Sequence, residues 1–173
     1  MPADQNAERL LQEYGDTLLR MCYLYLKDYH LAEDAVQETF IKALKSYDSF
    51  QKKSSEKTWI TRIAINTCKN IMRSHWFRMT RDNVDMHITT ISDNPIDEFH
   101  RKNSVTEAIM KLGVSDRAVI VLYYYQELPV KEIAGVIGKS QNTTLQRLNR
   151  ARMKLKKILM EEGYDENGFE ATN

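Results

Sequence analysis

The spacing of apolar residues limits most strongly what this chain can fold into. Long segments repeat their apolar residues with the period of an α-helix, and almost none shows the alternation of a strand. Gly and Pro, the residues that interrupt helices, number only 6 and 3 among 173 residues. The pattern therefore predicts an all-α protein.

The predicted helices form two groups separated by a polar stretch. We expect three helices at 6–27, 31–47 and 58–78, and four more at 102–112, 116–126, 129–138 and 141–160. Between the groups, TRDNVDMHITTISDNPIDEF is acidic and has no apolar stripe, which predicts a linker. The expected organisation is a helical domain at 1–79, a flexible acidic linker at 80–101, a second small helical domain at 102–162 and an acidic tail at 163–173.

The boundaries of the C-terminal helices have recognisable signals. Ser115 is the expected N-cap of the helix at 116–126. Farther on, Ala134 is small where two helices must approach, Gly138 permits a left-handed turn, and Ser140 can cap the next helix. These residues predict a helix-turn-helix, whose second helix enters the major groove of DNA. A purely structural helical hairpin is the alternative.

The net charge of +1 conceals two basic blocks. Residues 51–80 contain a single acid, Glu56, among their Lys and Arg residues, and residues 139–157 contain none. Solvated helix faces usually mix both signs, so these blocks indicate two separate contacts with a polyanion. In the last helix, the residues suited to base edges and phosphates are Ser140, Gln141, Asn142, Thr143, Gln146, Arg147, Arg150 and Arg152.

A polar and basic line is predicted along the third helix. Helical spacing places four of its polar residues on one face: Arg62, Asn66, Lys69 and Arg73. Trp59 lies one turn earlier, and the preceding loop contains Lys52, Lys53, Ser54 and Ser55. Cations beside an aromatic ring suit unstacked, single-stranded bases. Alternatively, Trp59 is a core residue and the cations only solvate the helix.

The second predicted helix has a face of another kind. It consists of Asp34, Gln37, Glu38 and Ile41, opposite Phe40 and Leu44. Carboxylates would repel nucleic acid, so this face suits a basic helix of another protein. A merely solvated face is the alternative.

Other classes of function find little support in the sequence. Walker, GxGxxG, HExxH and GxSxG motifs and metal-ligand clusters are absent, so we expect no enzyme activity, cofactor or metal site. Cys22 and Cys68 stand alone, which predicts two buried, reduced thiols. No apolar run is long enough to span a membrane, and the N-terminus lacks the apolar core of a signal peptide. We therefore expect a cytoplasmic protein without direct membrane insertion.

Three motifs together resemble a known family. LAEDAVQETFIKAL, KTWITRIAINTCKNIMR and VKEIAGVIGKSQNTTLQRLNRARMKL are similar in order, spacing and length to the sigma-70 family, specifically to its two-domain extracytoplasmic-function (ECF) group. The resemblance covers most of the chain. It implies a factor that binds core RNA polymerase and directs promoter-specific transcription initiation without catalytic residues of its own.

The resemblance also implies a role for each surface. The face of Asp34, Gln37, Glu38 and Ile41 would dock on the coiled coil of the largest polymerase subunit. The loop at 50–57 and the line from Trp59 to Arg73 would open the −10 element of promoter DNA and capture a flipped base. The last helix would read the −35 element, and the linker would thread the RNA exit path. An anti-sigma factor, often membrane-anchored in this family, is a further implied partner.

The chain departs from the family pattern at two places. Residues 142–146 read NTTLQ where the family usually has Gly-Thr-Val-Lys-Ser. This change removes a phosphate-binding Lys and puts Thr144 at an apolar core position. Asn70 stands where the family usually has Asp.

Two other functions remain open at this point. A stand-alone helix-turn-helix regulator would need only the last two helices and would bind promoter duplex without polymerase. A pure interaction module would ignore DNA, and it would leave both basic blocks without a purpose.

Overall fold

A computed structural model of the chain describes residues 3–82 and 104–162. The chain divides into two compact units, residues 1–91 and 92–173. All regular elements in the described ranges are helical, so the predicted all-α fold is confirmed. Within the same ranges, no helix has the length and apolar content that a membrane span requires. The predicted linker lies outside them apart from residues 80–82, and the predicted tail lies outside them entirely.

The N-terminal unit contains three long helices. These are α1 (Ala3–Leu26), α2 (Tyr29–Ser46) and α3 (Glu56–Asp82), with a short 3₁₀ turn at Tyr47–Ser49. α2 begins earlier than predicted because the Asp28 side chain accepts a hydrogen bond from the Leu31 N–H at 2.9 Å and caps the helix. α3 continues beyond its predicted end at Arg78.

Small residues on α2 make room for larger ones from α1 and α3. Ala32, Ala35 and Ala43 are fully buried, and α2 packs against both other helices. The large buried side chains around them are Leu10, Leu18, Met21, Leu24, Ile60 and Ile65. Cys22 and Cys68 lie in this core as free, buried cysteines, as the sequence predicted. Close packing of this kind fixes the face that α3 presents to solvent.

The C-terminal unit is built from shorter helices. These are α4 (Ser104–Lys111), α5 (Val114–Ile120), α6 (Val130–Ile137) and α7 (Gln141–Glu161), with a π-helical turn at Val121–Tyr125 after α5. α7 packs against α4, α5 and α6 and is the central element of the unit.

The prediction of Ser115 as an N-cap was wrong. The Gly113 carbonyl accepts hydrogen bonds from the N–H groups of Asp116 at 3.0 Å and Arg117 at 2.8 Å. Gly113 is therefore the N-cap, and Ser115 lies inside the first turn of α5. The Arg117 side chain is buried, and its Nη1 donates to the carbonyls of Met110 at 3.2 Å and Leu112 at 3.0 Å, at the end of α4.

The turn between α6 and α7 has the predicted helix-turn-helix form. Gly138 ends α6 with φ of 69°, in the left-handed region where a side chain is strained. The Lys139 N–H donates to the Ala134 carbonyl at 3.0 Å and closes the turn. Ser140 then caps α7, because its hydroxyl accepts a hydrogen bond from the Thr143 N–H at 3.2 Å. Ser140 thus defines where α7 begins.

Candidate nucleic-acid and protein-binding surfaces

The polar and basic line predicted on α3 lies on the exposed face of that helix. Its residues Arg62, Asn66, Lys69 and Arg73 are all exposed. On the opposite face, Ile60 and Ala64 are buried, so the line cannot rotate inward without breaking the core. Arg73 donates a hydrogen bond from Nη2 to Asn70 Oδ1 at 3.2 Å, so the unusual Asn70 orients a cation of the line without neutralising it.

The loop before α3 combines exposed cations with a structural serine. Lys52 and Lys53 are exposed, and Lys52 has φ of 51°, a left-handed conformation that costs free energy in a residue with a side chain. The Ser54 hydroxyl donates to the Ser55 carbonyl at 3.4 Å. The Ser55 hydroxyl accepts a hydrogen bond from the Thr58 N–H at 3.0 Å, at the start of α3. Ser55 therefore holds the helix start, a role that sequence reasoning had not given it.

Trp59 is part of an aromatic cluster at the base of this loop. Its ring stacks on Phe50 with centroids 4.8 Å apart and planes at 29°, and it meets the Tyr47 ring edge-on at 5.9 Å. The ring is half-buried, so Trp59 both packs against the protein and reaches the surface. Sequence reasoning missed Phe50 as a partner, although the two aromatics flank the loop.

A partly buried ionic cluster joins α1 to both ends of the loop. Arg9 donates hydrogen bonds to the two carboxylate oxygens of Glu56 at 2.7 and 2.8 Å, and to the Tyr47 hydroxyl at 2.8 Å. The Tyr47 hydroxyl donates to Glu56 Oε1 at 2.6 Å, and the Tyr14 hydroxyl donates to Oε2 at 3.2 Å. Glu56 was visible in the sequence as the single acid of a basic block, but nothing there named its partners.

The cluster holds Glu56 firmly in its ionised form. The Arg9 hydrogen bonds are the largest cause, and they lower the pKa of the Glu56 carboxyl from 4.5 to about 2, against the opposing effect of burial. The pKa of the Tyr47 phenol is raised, chiefly because its proton is shared with that carboxylate. Bidentate, charge-assisted pairing of this kind has a strict geometry.

The predicted docking face of α2 is exposed along its whole length. Asp34, Gln37, Glu38 and Ile41 all lie at the surface, and 53% of Ile41 is accessible. Glu38 pairs with Lys42 at 2.6 Å, and Lys42 also donates to Thr67 on α3 at 3.2 Å. The face thus presents acids and one apolar residue, and the hydrogen bond from Lys42 to Thr67 links its helix to α3.

The predicted reading face of α7 is formed at the capped end of the helix. Gln141, Asn142, Gln146 and Arg150 are exposed there, while Thr143 and Arg147 are partly covered. Ser140 and Thr143 are also paired through their hydroxyls at 2.8 Å, so both belong to the cap. The remaining side chains project from the first turns of the helix.

Thr144 shows how this chain accommodates its departure from the family pattern. The side chain is fully buried, and its hydroxyl donates to the Ser140 carbonyl at 2.9 Å. A polar group at a core position is therefore satisfied within the helix itself.

Arg152 is turned away from the reading face. Its guanidinium lies over the Tyr123 ring at 4.8 Å and the Tyr124 ring at 5.6 Å, and its Nε donates to the Tyr124 hydroxyl at 2.9 Å. Lys154, one turn beyond Arg150, forms an ion pair with Asp116 on α5 at 2.5 Å. Part of the second basic block thus stabilises the C-terminal unit, and the cations near the cap remain at the surface.

The part of the chain that the structure describes contains no group of three or more His, Cys, Asp or Glu residues that could hold a metal ion. Cys22 has a raised thiol pKa, first because it shares a hydrogen bond with Cys68 and then because it is buried.

Family models match both units of the chain. The model of sigma-70 region 2 matches residues 10–78, and the model of sigma-70 region 4 matches residues 102–155. Among curated relatives, the RNA polymerase sigma factor YlaC of Bacillus subtilis is 32% identical, with 92% of this chain and 95% of YlaC covered. The ECF RNA polymerase sigma factor SigW of the same organism is 31% identical, with 90% of each chain covered.

Solved structures share the fold. The sigma factor RpoE in complex with the anti-sigma factor NepR, from Bartonella quintana, has a TM-score of 0.74 and 23% identity, with 90% of this chain and 98% of that chain covered. CnrH in complex with the cytosolic domain of CnrY has a TM-score of 0.66 and 23% identity, with 93% and 96% covered.

Proposed function

Because the chain belongs to the sigma-70 family, in its ECF group, we propose a specific surface for each contact that such a factor makes. The protein binds core RNA polymerase and directs promoter-specific transcription initiation. It is a DNA-binding initiation factor and not an enzyme. What needs assignment is which residues meet the polymerase and which meet each promoter element.

The domain at 1–79 recognises and opens the −10 element. The exposed line of Arg62, Asn66, Lys69 and Arg73 supports this assignment, because it offers cations and an amide to a DNA backbone at the strand junction. Lys52, Lys53 and Ser54 of the loop, beside the Phe50–Trp59 stack, surround an unpaired non-template base. Stacking of a base on an aromatic side chain contributes roughly 1–3 kcal/mol. These contacts exist only with the opened strand, so they shift the duplex toward opening.

The domain at 102–162 reads the −35 element through the start of α7. Gln141, Asn142 and Gln146 face base edges, while Arg147 and Arg150 bind phosphates or guanine. Arg152 is left out of this set because its guanidinium is engaged by Tyr123 and Tyr124. We propose domain borders at 79 and 102, and the matches of the family models to residues 10–78 and 102–155 support this proposal.

The face of Asp34, Gln37, Glu38 and Ile41 docks on the coiled coil of the largest polymerase subunit. Its exposed acids and its accessible Ile41 complement a basic helix that has an apolar stripe. Since RpoE and CnrH form complexes with NepR and CnrY, we extend the proposal to an anti-sigma factor that binds this chain too. The site of action is the cytoplasm, where polymerase and promoter DNA meet.

One observation supports the proposal above all: each unit has its own exposed basic surface, on α3 in one and on α7 in the other. A stand-alone regulator would need only the second surface. The test uses reconstituted holoenzyme on duplex promoter DNA and measures opening by the permanganate reactivity of unpaired −10 thymines.

Replacement of Arg62 and Asn66 by Ala should reduce promoter opening at least about fivefold, equivalent to the loss of about 1 kcal/mol. The control is Arg20→Ala, which also removes one exposed cation but lies on α1. Wild-type opening by the Arg62/Asn66 double variant would contradict the −10 assignment. A gel shift of promoter duplex by the protein without polymerase would favour the stand-alone regulator instead.

A further inference from the structure

The ionic cluster closes the loop before α3 at both ends. Tyr47 begins the turn that leads into the loop, and Glu56 is the first residue of α3, directly after it. The hydrogen bond of 2.6 Å between them spans the loop, and Arg9 binds both of them from α1. We call Arg9, Tyr47 and Glu56 the loop clip.

The loop clip is in direct contact with the aromatic cluster. The Tyr47 ring meets Trp59 edge-on at 5.9 Å, and Trp59 stacks on Phe50, the last residue before the exposed part of the loop. A change in the position of the Tyr47 hydroxyl therefore moves a ring that packs against Trp59. The clip and the cluster share one side chain, which couples the ionic geometry to the aromatic surface.

The loop also contains a conformation that it would not adopt without support. Lys52 has φ of 51°, which residues with a side chain rarely adopt. This conformation costs free energy, so it depends on contacts with the surrounding structure, and the hydrogen bond between Tyr47 and Glu56 joins the two ends of the loop that contains it.

We propose that Arg9, Tyr47 and Glu56 are positioning residues that pre-form the loop and the Phe50–Trp59 stack for capture of the flipped −10 base. This inference rests on the proposed function, because it assigns a positioning device to the same site. It adds α1, which touches no DNA in the proposal, to the determinants of base selectivity. A pre-formed site avoids the loss of conformational entropy that a flexible loop would undergo on binding.

The experiment measures base selectivity and folding separately. Holoenzyme binds fluorescent single strands of the non-template −10 region, taken from a promoter that the protein transcribes and from the same strand with the captured base replaced. Tyr47→Phe removes one hydroxyl and keeps the ring. It should reduce the ratio of the two affinities by about threefold to tenfold, which corresponds to the net effect of one ordinary hydrogen bond. Arg9→Lys, which cannot form the two parallel hydrogen bonds to Glu56, should also reduce this ratio.

Tyr14→Phe is the matched control. It also removes a hydroxyl from Glu56, at 3.2 Å, but Tyr14 lies on α1 outside the clip. It should leave selectivity unchanged, and the melting temperatures of all variants show that they are folded. If Tyr47→Phe lowers the melting temperature while selectivity stays at the wild-type ratio, the clip is a structural staple only and the inference fails. If the wild type itself does not distinguish the two strands, the proposed −10 function fails.

Discussion

Buried threonines in the N-terminal unit differ in whether their hydroxyls find a partner. Thr39 and Thr61 are both fully buried. The Thr39 hydroxyl donates to the Ala35 carbonyl at 2.6 Å, whereas Thr61 Oγ1 has no hydrogen-bond partner among the described residues. Leaving a buried hydroxyl without a partner costs roughly 1–3 kcal/mol. Thr61 is therefore a site where the fold tolerates a local defect.

This difference predicts opposite effects for one type of substitution. Thr61→Val exchanges the unsatisfied hydroxyl for a methyl group and should raise the free energy of unfolding by roughly 1 kcal/mol. Thr39→Val, the matched control, removes a hydroxyl that has a hydrogen-bond partner and should lower the free energy of unfolding by a similar amount. Denaturant unfolding followed by circular dichroism measures both. Destabilisation by Thr61→Val would show that its hydroxyl is satisfied after all.

The low pKa of Glu56 predicts how the stability of the fold changes in acid. Its pKa in the folded protein, about 2, lies below the ordinary value of 4.5, so the ionised form stabilises the fold. This stabilisation is complete above about pH 4.5 and is lost as the pH falls toward about 2. Wild type should therefore be more stable than Glu56→Gln at neutral pH, and the difference should shrink over that acidic range. A stability difference that is independent of pH would contradict the ionic role of Glu56.

On α7, the cations that we propose to contact DNA differ from those that contact other side chains of the protein. Arg147→Ala or Arg150→Ala should weaken −35-dependent promoter binding by roughly 1–3 kcal/mol. Arg152→Ala should instead lower the melting temperature, because its guanidinium packs on Tyr123 and Tyr124. Transcription by holoenzyme from promoters with intact and scrambled −35 elements measures the first effect. An equal loss of −35 dependence in all three variants would contradict the division.

Because the acids of the α2 face are exposed, changing them should reduce polymerase binding without disturbing the fold. Replacing Asp34 and Glu38 together by Arg should abolish most co-purification with core polymerase, because the new charges repel a basic partner. Asp16→Arg, at another exposed acid on α1, is the control and should bind normally. Far-ultraviolet circular dichroism checks that the helices are intact. Undiminished binding by the double variant would remove the docking assignment.

Some elements could be predicted from sequence because their signals are local. The turn between α6 and α7 depends on Gly138 and Ser140, whose conformational and capping preferences act within a few residues. The start of α5 was misjudged because Ser115 resembles a cap, while the Gly113 carbonyl accepts the first hydrogen bonds of the helix. A cap at Gly113 involves no side-chain hydrogen bond, so the sequence signals it only through the weaker preference of glycine for the N-cap position.

The loop clip was beyond prediction for a different reason. Arg9 and Glu56 are 47 residues apart, and only the packing of α1 against α3 brings them together. The exposed line on α3 and the face on α2 were predictable because helical periodicity fixes which residues share a side. The contacts of Arg152 with aromatic rings could not be predicted, because they depend on residues of the π-helical turn. One of these residues, Tyr124, lies 28 residues earlier in the sequence.

The whole molecule comprises two small helical units, for which we propose different tasks. In this proposal, one unit combines a docking face with a surface for the opened −10 strand, and the other reads duplex DNA at the −35 element. The loss of a phosphate-binding Lys in the α7 turn is tolerable in this arrangement, since polymerase and the −10 contacts share the binding energy. A regulator that relied on α7 alone would have no such compensation.

Run-off transcription with purified core polymerase over fragmented genomic DNA tests whether this protein directs promoter-specific initiation. We expect specific start sites that appear only when this protein is added, each preceded by shared −35 and −10 sequences. The Arg62/Asn66 double variant should lose these starts, while the Arg20→Ala variant should keep them. Absence of protein-dependent starts, in a preparation that binds core polymerase, would contradict the account.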